Sequence, residues 1–440
     1  MAAEIKHLVP RYAENIEDGV LAASRLKNDG IPTDTSYEQG NVEKEIEKMF
    51  LAARAKYFGE MEKSSKDDSG SEEIFIDRPT NSSAPPSLKR KRHIEFLTAG
   101  LRELGISYQC LDASRTWICY WILHSLDLLD ALPLSSELET NIANFLNRCQ
   151  HPNGGFGGGP GQEPHLASTY AAVNALCILG TKHSFDVIDR PKLLSFFFRM
   201  KQPDGSFTLH ENGETDVRGI YLVASAAVLS NIISSCSKLF YLSPEWVASC
   251  QTYEGGFAGR PGLEAHGGYT FCGLAALCLL GKLHLCDTKL LLRWIANRQM
   301  KFEGGFQGRT EKLVDGCYSF WQGGAIALLQ SALQQQGELG FPADTWVFHS
   351  GALQEYVLTC CQHMRGGLRD KPKKSRDFYH TCYCLSGLSI AQHNGSKLAL
   401  HILGGEDNEV RPTHPTFNIC GNSVYRALQY FKSLSIPDDP

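Results

Sequence analysis

Asp315, Cys317 and His380 offer one carboxylate, one thiol and one imidazole. An oxygen, a sulfur and a nitrogen make a three-ligand tetrahedral zinc site with its fourth position open, the form of a catalytic rather than a structural metal. An Asp-x-Cys pair also arises readily by chance, so spacing leaves open that Cys317 is a packed cysteine and His380 a core histidine. His266, Arg309, Lys312 and Tyr318, with Arg218 further upstream, supply cations and a hydroxyl suited to a phosphate or diphosphate. Taken singly, each is an ordinary surface salt-bridge partner. Trp117, Trp121, Tyr170, Trp321 and Tyr379 either line an apolar interior or pack within a core. An aromatic cavity topped by cations and a metal would match a long isoprenoid diphosphate and a thiol.

These residues sit at corresponding points of an internal repeat. A cassette of Gln, three or four residues, then Gly-Gly-Phe recurs as Gln150/Gly154-Gly155-Phe156, Gln251/Gly255-Gly256-Phe257 and Gln299/Gly304-Gly305-Phe306. Weaker copies are Gln202/Gly205-Ser206-Phe207 and Gln362/Gly366-Gly367-Leu368. From first glycine to first glycine the steps are 51 (154 to 205), 50 (205 to 255), 49 (255 to 304) and 62 (304 to 366). A unit of that length holds two helices.

After each cassette comes a polar loop and then a segment such as Tyr170-AAVNALCILG or Phe271-CGLAALCLLG, apolar nearly all round and therefore a buried inner helix. Amphipathic stretches such as Lys289-LLLRWIANRQM suit an outer layer. The Gly-Gly pair supplies a positive-φ stop after the outer helix, and the following Phe tucks back as an apolar plug. Gly154-GFGGGPGQ lacks the Lys-Ser/Thr of a phosphate-binding loop and reads as a turn. Almost nothing reads as strand. Such hairpins either run on as an open solenoid or close into a barrel, and the period does not choose between them.

At the starts of the inner helices the repeats align as Glu163-Pro-His165, Asp216-Val-Arg218, Glu264-Ala-His266, Asp315-Gly-Cys317 and Asp377-Phe-Tyr379-His380. All fall at one end of the stack. For Asp216 and Asp377 the expected role is a helix N-cap.

The rest of the chain bounds the reading. An apolar fraction of 42% and a charged fraction of 21% are those of a globular protein, and a net charge of −5 disfavours a general nucleic-acid binder. Fifteen scattered cysteines without CxxC pairs, no signal-peptide profile and no membrane-length apolar run predict a reducing intracellular setting. Residues 1–92 read as an extension, with a helix near 41–61 and a polar, disordered stretch over 63–87. Leu88-Lys-Arg-Lys-Arg-His has the composition of a nuclear-localisation patch, but it abuts a periodic segment and reads better as a solvated first helical turn.

From about His93 to about Leu434 the sequence resembles the β subunits of protein prenyltransferases, most closely the farnesyl-transferring ones. The phrases that carry the likeness are Arg115-TWICYWILHSL, Glu163-PHLASTYAAVNAL, Glu264-AHGGYTFCGLAAL, Lys312-LVDGCYSFWQGG and Arg376-DFYHTCYCLSGLS. The resemblance implies an all-α fold, an α/α barrel (toroid) of about five to six helical hairpins over residues 93–440. It implies that Asp315, Cys317 and His380 hold a zinc ion and act with Tyr318 in catalysis. Farnesyl diphosphate is then bound by His266, Gly267, Gly268, Tyr269, Arg309, Lys312, Tyr318, Trp321, Arg218, Tyr221 and Cys272. Trp117 and Tyr170, both bulky, would limit the isoprenoid to fifteen carbons, while Trp117, Trp121 and Tyr379 select the peptide's last residue. The resemblance further implies a CaaX cysteine as acceptor in proteins such as small GTPases, a magnesium ion on the diphosphate, an α-subunit partner that supplies a lysine, and a cytoplasmic location. The main rival is a geranylgeranyltransferase type I β subunit, against which the two bulky residues argue. A triterpene cyclase lacks support because no DxDD motif is present, and a non-catalytic scaffold leaves Asp315, Cys317 and His380 without a joint purpose.

Overall fold

The Ala-, Leu- and Cys-rich segments form inner helices because they have no polar face to expose. In Leu166–Leu179 every residue except Ala167 is buried. The computed structural model describes residues 4–13, 25, 31–67, 86–234, 237–337, 345–393 and 399–440. Among them six inner helices, Arg115–Leu128, Leu166–Leu179, Val217–Leu229, Gly267–Leu279, Tyr318–Gln335 and Phe378–Gln392, each pack on the next, and the sixth returns to pack on the first. The choice between open solenoid and barrel is thus a closed all-α ring. Six outer helices surround it: Arg90–Arg102, Ser136–Cys149, Arg190–Met200, Ser243–Ser249, Thr288–Ala296 and Ser350–Tyr356.

The cassettes join the outer layer. Their glutamine pairs with the plug residue in each full copy, as Gln150 with Phe156 or Gln251 with Phe257, and Phe156, Phe207, Phe257, Phe306 and Leu368 are all fully buried. A Cβ on Gly154, Gly205, Gly255, Gly304 or Gly366 would lie 1.9, 2.3, 2.2, 2.5 and 1.9 Å from the carbonyl oxygens of Lys192, Leu242, Leu290, Ala352 and Arg92 respectively. Each of those carbonyls belongs to the start of the next outer helix, so only glycine permits the approach. The last contact, Gly366 on Arg92, carries the sixth repeat onto the first outer helix and closes the ring.

The end of the barrel away from the inner-helix N-termini is stopped by the chain's C-terminal part. The hydroxyls of Tyr120, Tyr170 and Tyr221 donate to the backbone carbonyls of Asn418, Phe417 and Thr416 at 2.7, 3.0 and 2.9 Å. These three tyrosines descend from successive inner helices, so their phenols tie that part of the chain to the barrel through three polar contacts.

Several features differ from what the sequence suggests. The N-terminal helix runs Asp34–Asp67, longer than 41–61 at both ends, and residues 68–85 of the polar stretch lie outside the described residues. Among the described residues strand is present in two short ladders: Glu4–Leu8 pairs in parallel with Ala399–Leu403, and Thr413–His414 pairs antiparallel with Ile419–Cys420. The first joins segments almost a whole chain apart, a pairing that no local pattern reveals. The extension is docked on the barrel, with Arg11 2.6 Å from the buried carboxylate of Glu355 and Tyr12, Phe50 and Phe302 in a common aromatic cluster. The first turn of the Arg90–Arg102 helix is not simply solvated. Arg90 donates to the carbonyls of Leu129, Asp407 and Glu409, and His93 is buried on Gln362 at 2.8 Å, because the ring closes at this seam.

Candidate active site

The first residues of four successive inner helices, and Gly316 just before the fifth, donate to loop carbonyls of the following repeat: Arg115 to Gly158, Leu166 to Leu209, Val217 to Gly259, Gly267 to Gly308, and Gly316 to Asp370. This ladder gathers the inner-helix N-termini at one mouth of the barrel. Asp216 and Asp377 cap their helices by accepting from the backbone N–H of Arg218 and His380. In two other repeats the cap is a histidine: His165 accepts from Ala167 and His266 from Gly268, while Glu264 turns outward to Arg309 at 2.6 Å.

At this mouth one ligand atom each from Asp315, Cys317 and His380 lie within 4.8 Å of one another, the only such group among the described residues. The turn is tightened by Asp315 Oδ1, which accepts from the Cys317 N–H at 2.9 Å. His380 Nδ1 lies 2.7 Å from Asp377 Oδ2, which fixes the ring and leaves Nε2 facing the site. That Nε2 is buried without a hydrogen-bond partner, 3.2 Å from Asp315 Oδ1. Burial depresses the His380 imidazole, but the flanking carboxylates of Asp315 and Asp377 outweigh it and push its pKa up to about 12. Burial, then the Asp315 charge, push the Cys317 thiol up to about 12. An orphaned imidazole nitrogen, a carboxylate and a buried thiol facing one point suit a thiophilic divalent cation, which would relieve all three. The residues present therefore fit zinc.

Tyr318 and Tyr379, the chain neighbours of Cys317 and His380, line an interior cavity of about 310 Å³. Its other walls include Trp117, Trp121, Tyr170, Arg218, Tyr221, His266, Gly268, Tyr269, Cys272 and Trp321. The Trp117 and Tyr170 ring centroids are 5.7 Å apart, and the Tyr379 hydroxyl accepts from Trp321 Nε1 at 3.2 Å. Arg218 is held in the wall by a two-point pair with Asp216, Nε at 2.9 Å and Nη2 at 2.7 Å.

Tyr318 Oη and His266 Nε2 are 2.9 Å apart. Since His266 Nδ1 accepts from Gly268, the neutral ring carries its proton on Nε2 and donates it to the tyrosine oxygen. Burial, reinforced by Arg309, keeps that ring's pKa low and the ring neutral. Tyr318 then has its own hydroxyl hydrogen to offer. Arg309 and Lys312 are not in the lining, Arg309 being paired with Glu264 and Lys312 exposed, and Gly267 packs beneath Gln322 rather than facing the cavity.

Sequence reasoning missed Tyr383, Leu222 and Ala167 in the lining, and missed the second role of Asp377. The i, i+3 spacing of Asp377 and His380 was the available signal, because it places a cap carboxylate beside a ring on the same helical turn.

Residues 88–419 match the family described as the prenyltransferase α/α toroid domain. A protein farnesyltransferase subunit β of Pisum sativum is 46% identical over 379 residues, 73% of this chain and 90% of the pea protein. A geranylgeranyl transferase type-1 subunit β of Arabidopsis thaliana is 30% identical over 351 residues, 72% of this chain and 88% of that protein. Candida albicans protein geranylgeranyltransferase-I, solved in complex with GGPP, superposes with a TM-score of 0.64 at 23% identity, over 78% of this chain and 99% of that one. At that identity the likeness speaks for the fold alone.

Proposed function

The chain belongs to the family of protein farnesyltransferase β subunits, and on that premise we propose that its Asp315–Cys317–His380 site and aromatic cavity transfer a farnesyl group to a CaaX cysteine. The observation that carries the reading is the contiguity of the two features: the residues after Cys317 and before His380 are themselves walls of the cavity.

Zinc would be held by Asp315, Cys317 and His380, and when bound it supplies the Lewis acidity that keeps a substrate thiol deprotonated near neutral pH. The farnesyl chain fills the cavity, its length limited by Trp117 and Tyr170 in the wall. Burying fifteen carbons contributes on the order of 10 kcal/mol before entropic costs, so the lipid binds tightly. The substrate thiolate attacks C1, the S–C bond forms, and the C1–O bond breaks with its electron pair on the diphosphate. Tyr318 donates its free hydroxyl hydrogen to that leaving group, and His266 supports the tyrosine from behind. Arg309 and Lys312 add charge from outside the lining, and aromatic faces near C1 tolerate allylic cation character. Arg218, Tyr221, Tyr269, Cys272 and Trp321 hold the isoprenoid and peptide, with Gly268 letting the helix start approach the diphosphate and Gly267 letting Gln322 pack against that start. Trp117, Trp121 and Tyr379 face the peptide's terminal residue.

The proposal includes an α subunit that contributes a lysine, a magnesium ion carried on the diphosphate, CaaX-terminated substrates such as small GTPases, and a cytoplasmic location. No described helix is long and apolar enough to cross a membrane. The test is transfer by the assembled heterodimer to a CaaX peptide, with farnesyl and geranylgeranyl diphosphate in competition. Strong preference for farnesyl supports the reading, and equal use or preference for geranylgeranyl overturns the donor assignment.

A further inference from the structure

The ring-closing seam carries a second feature that thiol prenylation does not use. Lys89 and Arg92 begin the first outer helix, and Arg365, Arg369 and Arg376 lie in or beside the last cassette, which packs directly on that helix. Arg92 donates to the Met364 carbonyl at 2.6 Å, and Lys89 Nζ is 3.4 Å from Met364 Sδ. Arg376 reaches the carbonyls of Arg365 and Gly366 and lies 4.4 Å over the Phe96 ring. Among the residues whose side chains are described, no carboxylate comes within ion-pair distance of these five cations, although the chain as a whole is acidic at −5. Burial, then the charges of Arg92 and Arg369, depress the Lys89 ammonium.

Backbone and glutamine contacts hold the two elements of the seam together. Gln362 Oε1 accepts from Lys89 N and contacts His93 Nε2, both at 2.8 Å, and Gly366 sits against the Arg92 carbonyl. Those contacts join the two elements through backbone atoms, apart from the charged side-chain ends. Concentrating like charges without counter-charges costs stability, and an anionic partner would repay it. At the tip of the cassette, between the cations, Met364 is 65% exposed. An apolar tip ringed by Lys and Arg matches the edge of an anionic bilayer, where cations meet headgroups and the tip meets the acyl boundary. An acidic peptide gives the methionine no such role.

We propose that this seam docks the enzyme on anionic membrane surfaces, the destination of a product that has just acquired a lipid. The purpose rests on the proposed function, but the binding does not. The assembled heterodimer is sedimented with phosphatidylserine–phosphatidylcholine vesicles and with pure phosphatidylcholine, as wild type and as Lys89→Gln/Arg92→Gln/Arg365→Gln. The wild type partitions onto the anionic vesicles alone, less at high salt, and the triple variant binds roughly a hundredfold more weakly, since each cation near such a surface is worth about fivefold. Both proteins transfer prenyl groups to a soluble peptide equally well without vesicles. Wild type that ignores anionic vesicles, or a variant that binds them equally, overturns the proposal. So does patch-dependent capture of a polyglutamate peptide without vesicle binding. Absence of transfer by the wild type would strike the proposed function and leave the partition result standing.

Discussion

Both oxygens of Asp377 are committed to His380: Oδ1 accepts the histidine's backbone N–H at 2.6 Å, and Oδ2 stands 2.7 Å from its ring Nδ1. The helix cap and the orientation of the imidazole that faces Asp315 and Cys317 depend on one carboxylate. Asp377→Asn keeps the oxygen that caps but loses the charge on the ring side. Zinc affinity, measured by competition with a chelator, is expected to fall roughly 10- to 100-fold while the helix content holds. Unchanged affinity would reduce Asp377 to a cap.

Trp117 packs on Tyr170 in the cavity wall, with ring centroids 5.7 Å apart. Trp117→Ala should open room for a longer isoprenoid and shift donor preference toward geranylgeranyl diphosphate by roughly tenfold or more. The check is the ratio of kcat/KM for the two donors. A ratio that does not move places the length limit elsewhere.

The extension is fastened by charge as well as by packing. Glu355 is fully buried and pairs with Arg11 at 2.6 Å, and it also accepts the Tyr12 N–H at 3.1 Å. Arg11→Ala strands that carboxylate and is expected to cost about 3–5 kcal/mol in chemical unfolding. A change below 1 kcal/mol would show that the extension adds little to the barrel's stability.

Much of this molecule was legible before any coordinate, for identifiable reasons. The inner helices announced themselves because a helix apolar on all sides has nowhere to sit but inside a ring. The cassettes did so because glycine, at Gly205 or Gly255, is the residue that tolerates both the positive φ and the neighbouring carbonyl. Asp315, Cys317 and His380 were legible as residue types, but their convergence depends on contacts between the fifth and sixth repeats, such as Gly316 N to Asp370 O, that spacing does not encode. The pairing of Glu4–Leu8 with Ala399–Leu403 was invisible for the same reason. The dual role of Asp377 was hidden behind its plainer one.

Glu303 is buried against Gln39 at 2.5 Å, and burial raises its carboxyl from 4.5 to about 7. A carboxyl whose folded pKa exceeds its unfolded one binds more protons when folded, so stability falls as pH climbs from about 4.5 to 7 and is level above that. The loss amounts to about 3 kcal/mol. Glu303→Gln should therefore raise the melting temperature at pH 8 and leave it nearly unchanged at pH 4. A benefit confined to low pH would contradict the assignment.

The central claim is that Cys317, with Asp315 and His380, holds the zinc that makes a substrate thiol reactive. It is tested most directly by measuring bound zinc and thioether formation together, in the assembled heterodimer, for wild type and Cys317→Ala. One zinc per wild-type heterodimer, with zinc and farnesyl transfer both lost in a variant that still folds and still binds farnesyl diphosphate, is the predicted result. Transfer by the zinc-free variant at the wild-type rate would contradict it.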